Sequence, residues 1–152
     1  MGKCAGTFWS LLLVLYFAYG SNMDLVQMGN RCERAATVGT ATLPFYCFII
    51  NSHGVATVVP DRTSAVLGLL WQISESDERA LDGYEGVESG AYRRAYFDVE
   101  MPDGKKVRAL VYVATDSTPG KPRPGYLERI LSAAKACGLP ETYLGQLRPW
   151  LQ

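Results

Sequence analysis

From Leu11 to Tyr19 the chain is almost wholly aliphatic and aromatic, and it then stops at Gly20-Ser21-Asn22. Two readings compete. A buried strand of β-formers can run into a tight polar turn and deliver that turn to a site. Alternatively, Lys3 followed by an apolar run that ends in the small residues Ala18 and Gly20 matches a secretory signal and its cleavage site. A membrane span is excluded for this segment. Phe8 to Tyr19 falls well short of the roughly 18–20 apolar residues that cross a bilayer. Gly2 does not open a myristoylation motif, because position six is Gly6 rather than Ser or Thr.

The rest of the sequence bounds the choice. Its 152 residues fit one domain with a core of its own. Lys plus Arg and Asp plus Glu number 15 each, so no excess of positive charge is available to grip nucleic acid. Arg93-Arg94 and Lys121 to Arg123 read as solvated surface. Cys4, Cys32, Cys47 and Cys137 form no C-x-x-C pair, and His53 is the single histidine. That combination argues against a metal site and for free thiols, hence for a reducing compartment, the cytoplasm.

Along the chain, Met23 to Gly29 reads as a short helix at best. Ala36 to Leu43 reads as a strand that ends before Pro44. Phe45 to Ile50 and Val55 to Val59 flank the turn Asn51-Ser52-His53-Gly54, a hairpin closed by Pro60-Asp61. Ala65 to Ile73 reads as a separate strand. Ser74 or Ser76 caps a helix with Glu75, Asp77 and Glu78 in its first turn, running to about Asp82. A second hairpin joins Tyr92–Met101 to Lys106–Thr115 through Pro102-Asp103-Gly104-Lys105. Helices follow from Pro124-Gly125 to Gly138 and over Glu141 to Leu147. The order predicts an α+β fold, a small, mostly antiparallel β-barrel with flanking helices.

Known catalytic templates find few matches. His53 would be the base of any Ser–His–Asp set, yet it sits in a turn, and no G-x-S-x-G elbow is present. No G-x-x-x-x-G-K-S/T loop occurs. Two features remain. Tyr19-Gly20-Ser21-Asn22, at a strand end, can offer backbone N–H groups, a hydroxyl and an amide to a carboxylate or an oxyanion, although a plain turn looks the same. Glu85, between Gly83-Tyr84 and Gly86-Val87, becomes a usable acid/base if it points inward and loses water, and an ordinary surface carboxylate if it does not.

With both features in this order, the sequence resembles the γ-glutamylcyclotransferase-like proteins. The resemblance runs from about Val14 onward. It rests on YFAYGSNM (Tyr16–Met23), GLLWQIS (Gly68–Ser74), LDGYEGVESGAY (Leu81–Tyr92), VYVAT (Val111–Thr115), PGYLERI (Pro124–Ile130) and CGLPETY (Cys137–Tyr143). It favours the strand over the signal, since cleavage after Gly20 would cut the Y-G-S-N motif in two. It makes residues 14–152 a single domain and residues 1–13 a dispensable extension. It implies intramolecular aminolysis of a small γ-glutamyl substrate. The substrate's α-amine attacks its own γ-carbonyl, releasing 5-oxoproline and an amine or amino acid without a cofactor. It implies Glu85 as the acid/base. It also implies Tyr19, Gly20, Ser21, Asn22, Met23 and Tyr126 as substrate-binding residues, with Tyr112 a weaker candidate. The glutathione-specific branch carries a hydrophobic residue after Y-G-S. Asn22 there points instead to γ-glutamyl amino acids or γ-glutamylamines, including γ-glutamyl groups that protect antibiotic intermediates. A binding module of the same fold without turnover is the alternative, and it has no need of Glu85.

Overall fold

The computed structural model describes residues 13–152. The proposed extension, Cys4 and the start of the apolar run at Leu11 therefore lie outside the described residues, apart from Leu13. Five strands close into a barrel in the order β1-β3-β2-β4-β5. They are β1 (Val14–Ala18), β2 (Ala36–Ile50), β3 (Ala56–Ile73), β4 (Tyr92–Glu100) and β5 (Lys106–Ala114). All neighbours are antiparallel except β1 and β5, whose parallel contact pairs Tyr16 with Leu110. Four helices flank the barrel: α1 (Leu25–Arg31), α2 (Glu75–Tyr84), α3 (Tyr126–Ala136) and α4 (Glu141–Leu147). A 3₁₀ turn at Ser21–Met23 links β1 to α1.

β1 is the strand anticipated from the apolar run. It lies between β3 and β5, and its Phe17 is fully buried. Aromatic and β-branched residues suit such a doubly flanked strand because their bulk packs on both pleated faces. Close approach is set by Gly68 on β3, where a Cβ would fall 2.3 Å from the carbonyl oxygen of Ala18.

Two expectations about strands are corrected. β2 does not end before Pro44, and Pro60-Asp61 does not close β3; both strands run on. The prolines sit at an irregularity instead of an end. Pairing is interrupted between Pro44–Ala65 and Tyr46–Pro60. One residue of β2, Phe45 (φ 66°), faces the four-residue excursion Asp61–Ser64 of β3. There the Asp61 carboxylate accepts hydrogen bonds from the Thr63 N–H and hydroxyl, both at 2.9 Å, and from the Ser64 hydroxyl at 3.0 Å. A proline costs a strand one N–H donor, and strands admit it beside bulges.

α2 begins where the sequence places it, with Ser74 as cap in a reciprocal box with Asp77. It runs two residues further than expected, to Tyr84. Its far end is tied to the barrel. The Arg94 guanidinium on β4 donates to both oxygens of Asp82 at 3.0 and 2.8 Å and also reaches Glu78, while the Tyr112 hydroxyl on β5 donates to Asp82 at 2.6 Å. Charge-assisted bonds from the two nitrogens of one planar guanidinium to two carboxylates fix orientation as well as position. They hold the residues that follow α2.

Candidate active site

The end of β1, the 3₁₀ turn, the end of α2 and the start of α3 surround one cavity of about 590 Å³. Of the residues proposed for the site from the sequence, Tyr19, Gly20, Ser21, Asn22, Glu85 and Tyr126 line it, together with the weaker candidate Tyr112. Met23 does not. Its side chain is buried in the core, and its carbonyl accepts from the Cys137 thiol. The motif's fifth residue thus anchors the turn, while its first four face the space.

The turn lines that space and leaves three of its amides unpaired among the described residues. Its own backbone bonds run from Met23 N–H to the Gly20 carbonyl (3.1 Å) and from Asp24 N–H to the Ser21 carbonyl (3.0 Å). The amides of Gly20, Ser21 and Asn22 are left without a carbonyl partner among the described residues. Such orphan donors at the start of a helical turn suit an anion. The Asn22 side chain, expected to be available to a ligand, is occupied internally. Its amide donates to the Tyr16 hydroxyl at 3.0 Å, and its carbonyl oxygen accepts from Gln27 at 3.1 Å and Arg31 at 3.0 Å. Its backbone carbonyl accepts from the Trp71 indole at 3.1 Å. Asn22 therefore shapes the turn and aims Arg31.

Glu85 caps the C-terminus of α2, with its N–H donating to the Leu81 carbonyl at 2.8 Å. Its side chain is half-buried on the cavity wall. Loss of water raises its pKa from 4.5 to about 7, against a smaller opposing pull from Arg31. Tyr16, Tyr19, Tyr92 and Tyr126 surround the same space. Burial pushes each hydroxyl above its ordinary value, and the Glu85 charge adds to that rise. All four remain protonated donors near neutrality.

Not all four are free. The Tyr19 hydroxyl donates to the Tyr112 carbonyl at 2.5 Å, and the Tyr92 hydroxyl donates to the Ala56 carbonyl at 2.6 Å. Tyr126 and Tyr16 differ, because their oxygens accept, from the Ala56 N–H at 3.0 Å and from the Asn22 amide at 3.0 Å, and their own protons stay available. Tyr112 lines the cavity with its ring edge-on to Tyr16 (centroids 5.7 Å apart), while its hydroxyl turns away to Asp82.

Sequence reasoning did not find Tyr16, Arg31 or Tyr92, and it placed Arg123 on solvated surface. Arg31 ends α1, where a cation reads as a partner of the helix dipole. In the fold its guanidinium stacks 4.5 Å from the centroid of the Tyr84 ring and enters the cavity. Arg123 lies at the cavity rim beside His53. Tyr16 is one residue of a strand that seemed purely structural. No group of three or more His, Cys, Asp or Glu side chains able to hold a metal occurs among the described residues.

Known proteins match this chain in sequence and in fold. Residues 65–147 match the AIG2-like family. A gamma-glutamylcyclotransferase from Homo sapiens is 33% identical over 144 residues, spanning 88% of this chain and 77% of that protein. One from Mus musculus is 30% identical over the same shares. A solved structure of a gamma-glutamyl cyclotransferase superposes with a TM-score of 0.84 at 31% identity, covering 90% of this chain and 86% of the other. By sequence and by fold alike, the chain belongs to the AIG2-like, gamma-glutamylcyclotransferase family.

Proposed function

We propose that this protein cyclises the γ-glutamyl group of a small substrate, releasing 5-oxoproline and a free amino acid or amine, with Glu85 as the acid/base. The observation that carries this reading is a single carboxyl group, shifted to about 7 by burial, on the wall of a cavity that also holds the unpaired amides of Gly20, Ser21 and Asn22.

The chemistry follows from those positions. The substrate's α-ammonium gives a proton to the Glu85 carboxylate. The freed nitrogen attacks the γ-carbon, and a new C–N bond forms. The old amide C–N bond then breaks, and Glu85 returns its proton to the departing nitrogen. The nitrogen that attacked still carries a second proton, which Glu85 takes up and passes to the departing amine. The ring nitrogen ends as a neutral amide, the leaving group ends as an ammonium, and protons and charge close within these groups. An α-amine titrates near 8, so a carboxyl group at 7 lies about one unit below it, whereas one near 4.5 lies more than three units below. The shift narrows the mismatch by about 3 kcal/mol. The oxyanion that forms on the γ-carbonyl is taken by the amides of the turn or by the free proton of Tyr126, and one such donor contributes roughly 3 kcal/mol. Arg31, aimed by Asn22 and acting on Glu85, receives the substrate's α-carboxylate. The nucleophile belongs to the substrate, so the protein has chiefly to fold the glutamyl chain back on itself.

Cys32, Cys47 and Cys137 are free thiols, which supports a cytoplasmic setting. No helix among the described residues is long and apolar enough to cross a membrane. The test is a panel of γ-glutamyl-alanine, glutathione, γ-glutamyl-ε-lysine and a γ-glutamyl-acylated aminoglycoside, read out as 5-oxoproline. Formation from at least one substrate by the wild type and from none by Glu85→Gln is the expected result. Tight binding of these compounds without 5-oxoproline would favour the binding-module alternative.

A further inference from the structure

The ionic side chains lining the cavity, apart from His53, are Arg31, Glu85 and Arg123. Two cations and one carboxylate are the mirror image of a γ-glutamyl amino acid, which carries two carboxylates and one ammonium. A γ-glutamylamine carries one carboxylate only. The second arginine therefore has no counterpart in the glutamyl head, and it stands elsewhere in the cavity.

Arg31 and Arg123 are held by different parts of the fold. Arg31 bonds to Asn22, stacks on Tyr84 and bears on Glu85. Arg123 belongs to the loop between β5 and α3, where it is flanked by Pro122 and Pro124 and docked on the hairpin turn between β2 and β3. Its backbone N–H donates to the Gly54 carbonyl at 3.1 Å, and its side-chain Nε donates to the His53 carbonyl at 3.0 Å. Gly54 (φ 80°) makes that docking possible, since a Cβ there would lie 2.8 Å from the Arg123 Cγ. The side chain is thus fixed through its stem and its Nε. Its two terminal nitrogens pair with no carboxylate among the described residues. The nearby Asp116 is engaged elsewhere, accepting from the Ser52 hydroxyl and the Thr118 N–H, with the His53 Nε2 at 3.8 Å. The charge of Arg123 is felt by the Tyr92 and Tyr126 hydroxyls, whereas the cation felt by Glu85 is Arg31. Arg31 is thus the cation that bears on Glu85, and Arg123 stands at the exposed rim of the cavity.

We infer that Arg123 is a specificity residue that binds the α-carboxylate of the leaving amino acid and so disfavours substrates that lack it. The inference rests on the cyclotransferase reading above and extends it to the leaving group. A preorganised guanidinium recognises a carboxylate through two parallel N–H donors, a match that neither an amide nor an amine reproduces. Because the position is at the rim, the effect is on binding and is moderate in size.

The experiment compares γ-glutamyl-alanine with γ-glutamyl-alaninamide, which differ only in that carboxylate, by steady-state 5-oxoproline formation. The wild type is expected to favour γ-glutamyl-alanine by roughly tenfold in kcat/KM, mostly through KM. Arg123→Gln should bring the ratio close to one, and Arg123→Lys should keep part of it. A wild-type ratio near one, a preference for the alaninamide, or an Arg123→Gln variant that slows both substrates equally would overturn the assignment while leaving the cyclotransferase reading intact. No 5-oxoproline from either substrate with wild-type protein would overturn both.

Discussion

Asp82 and Glu85 are carboxylates three residues apart at one end of α2, and the fold treats them in opposite ways. Asp82 accepts from the Arg94 Nη1 at both of its oxygens and from the Tyr112 hydroxyl, so each of its oxygens is satisfied. Glu85 faces a cavity where burial lifts its pKa to about 7 and Arg31 offsets only part of the lift. The difference teaches how a small domain makes an acid/base. One carboxylate is bonded until it is a strut, and the strut holds the next in a place where its charge is poorly solvated. The bonded carboxylate and the proposed acid/base are separate residues.

Glu85→Gln should separate them most sharply. Turnover is expected to fall by 10²–10⁴-fold, since the amide keeps the shape but carries no proton. Stability should move the other way. A carboxyl group whose folded pKa lies above its unfolded value binds its proton more tightly in the native state. Its ionisation therefore costs stability as pH rises from about 4.5 to about 7, and the cost stays constant above that. Glu85→Gln should thus match the wild type in urea denaturation at pH 4.5 and exceed it at pH 8, by up to about 3 kcal/mol. A variant less stable than the wild type at pH 8 would mean that the charge of Glu85 is well paired after all.

Gly20→Ala tests the wall opposite Glu85. Gly20 has φ −117°, and a Cβ there would lie 3.8 Å from the Tyr126 hydroxyl, an ordinary contact. The fold should accept the methyl group with under about 1 kcal/mol lost. The methyl nevertheless enters the space in front of Tyr126, and a substrate displaced by about 1 Å there should react on the order of 10²-fold more slowly. Normal kcat/KM in a folded Gly20→Ala protein would remove the turn from the site.

Asp82→Ala is expected to show the reverse pattern to Glu85→Gln. It leaves Arg94 and Tyr112 short of an acceptor in a half-buried cluster, and it should cost about 2 kcal/mol of stability. Activity should fall by no more than about tenfold, through looser placement of Glu85. Equal losses in turnover for the two variants would erase the distinction between strut and reactive group. The smallest effect is expected from removing residues 1–13, which should leave kcat/KM within about twofold of the full chain. A folded truncated protein without turnover would assign a role to that segment.

The sequence discloses these regions unevenly. β1, both hairpin turns and the cap of α2 could be read directly, because each is a local pattern: an apolar run, a turn tetrapeptide, a serine before acidic residues. The length of β2 and β3 could not, because Pro44 and Pro60 look like ends until the bulge that accommodates them is seen from both strands at once. Glu85 was visible as a carboxylate between glycines, but its environment was not, since Tyr16, Tyr92 and Tyr126 reach it from three separate elements. Arg31 and Arg123 are harder still. One resembles a helix-end cation and the other a surface charge, and only the closed barrel brings both to the same cavity. Asn22 was read as a ligand-binding amide, yet its side chain already bonds Tyr16, Gln27 and Arg31.

The most direct test of the contrast between Asp82 and Glu85 is the pH dependence of wild-type kcat/KM for γ-glutamyl-alanine between pH 5 and 8. A base that must be ionised to act, with a pKa near 7, predicts a rate that rises about tenfold per unit at low pH and bends near 7. A profile that is flat from pH 5.5 upward, as an ordinary solvated carboxylate would give, would contradict it.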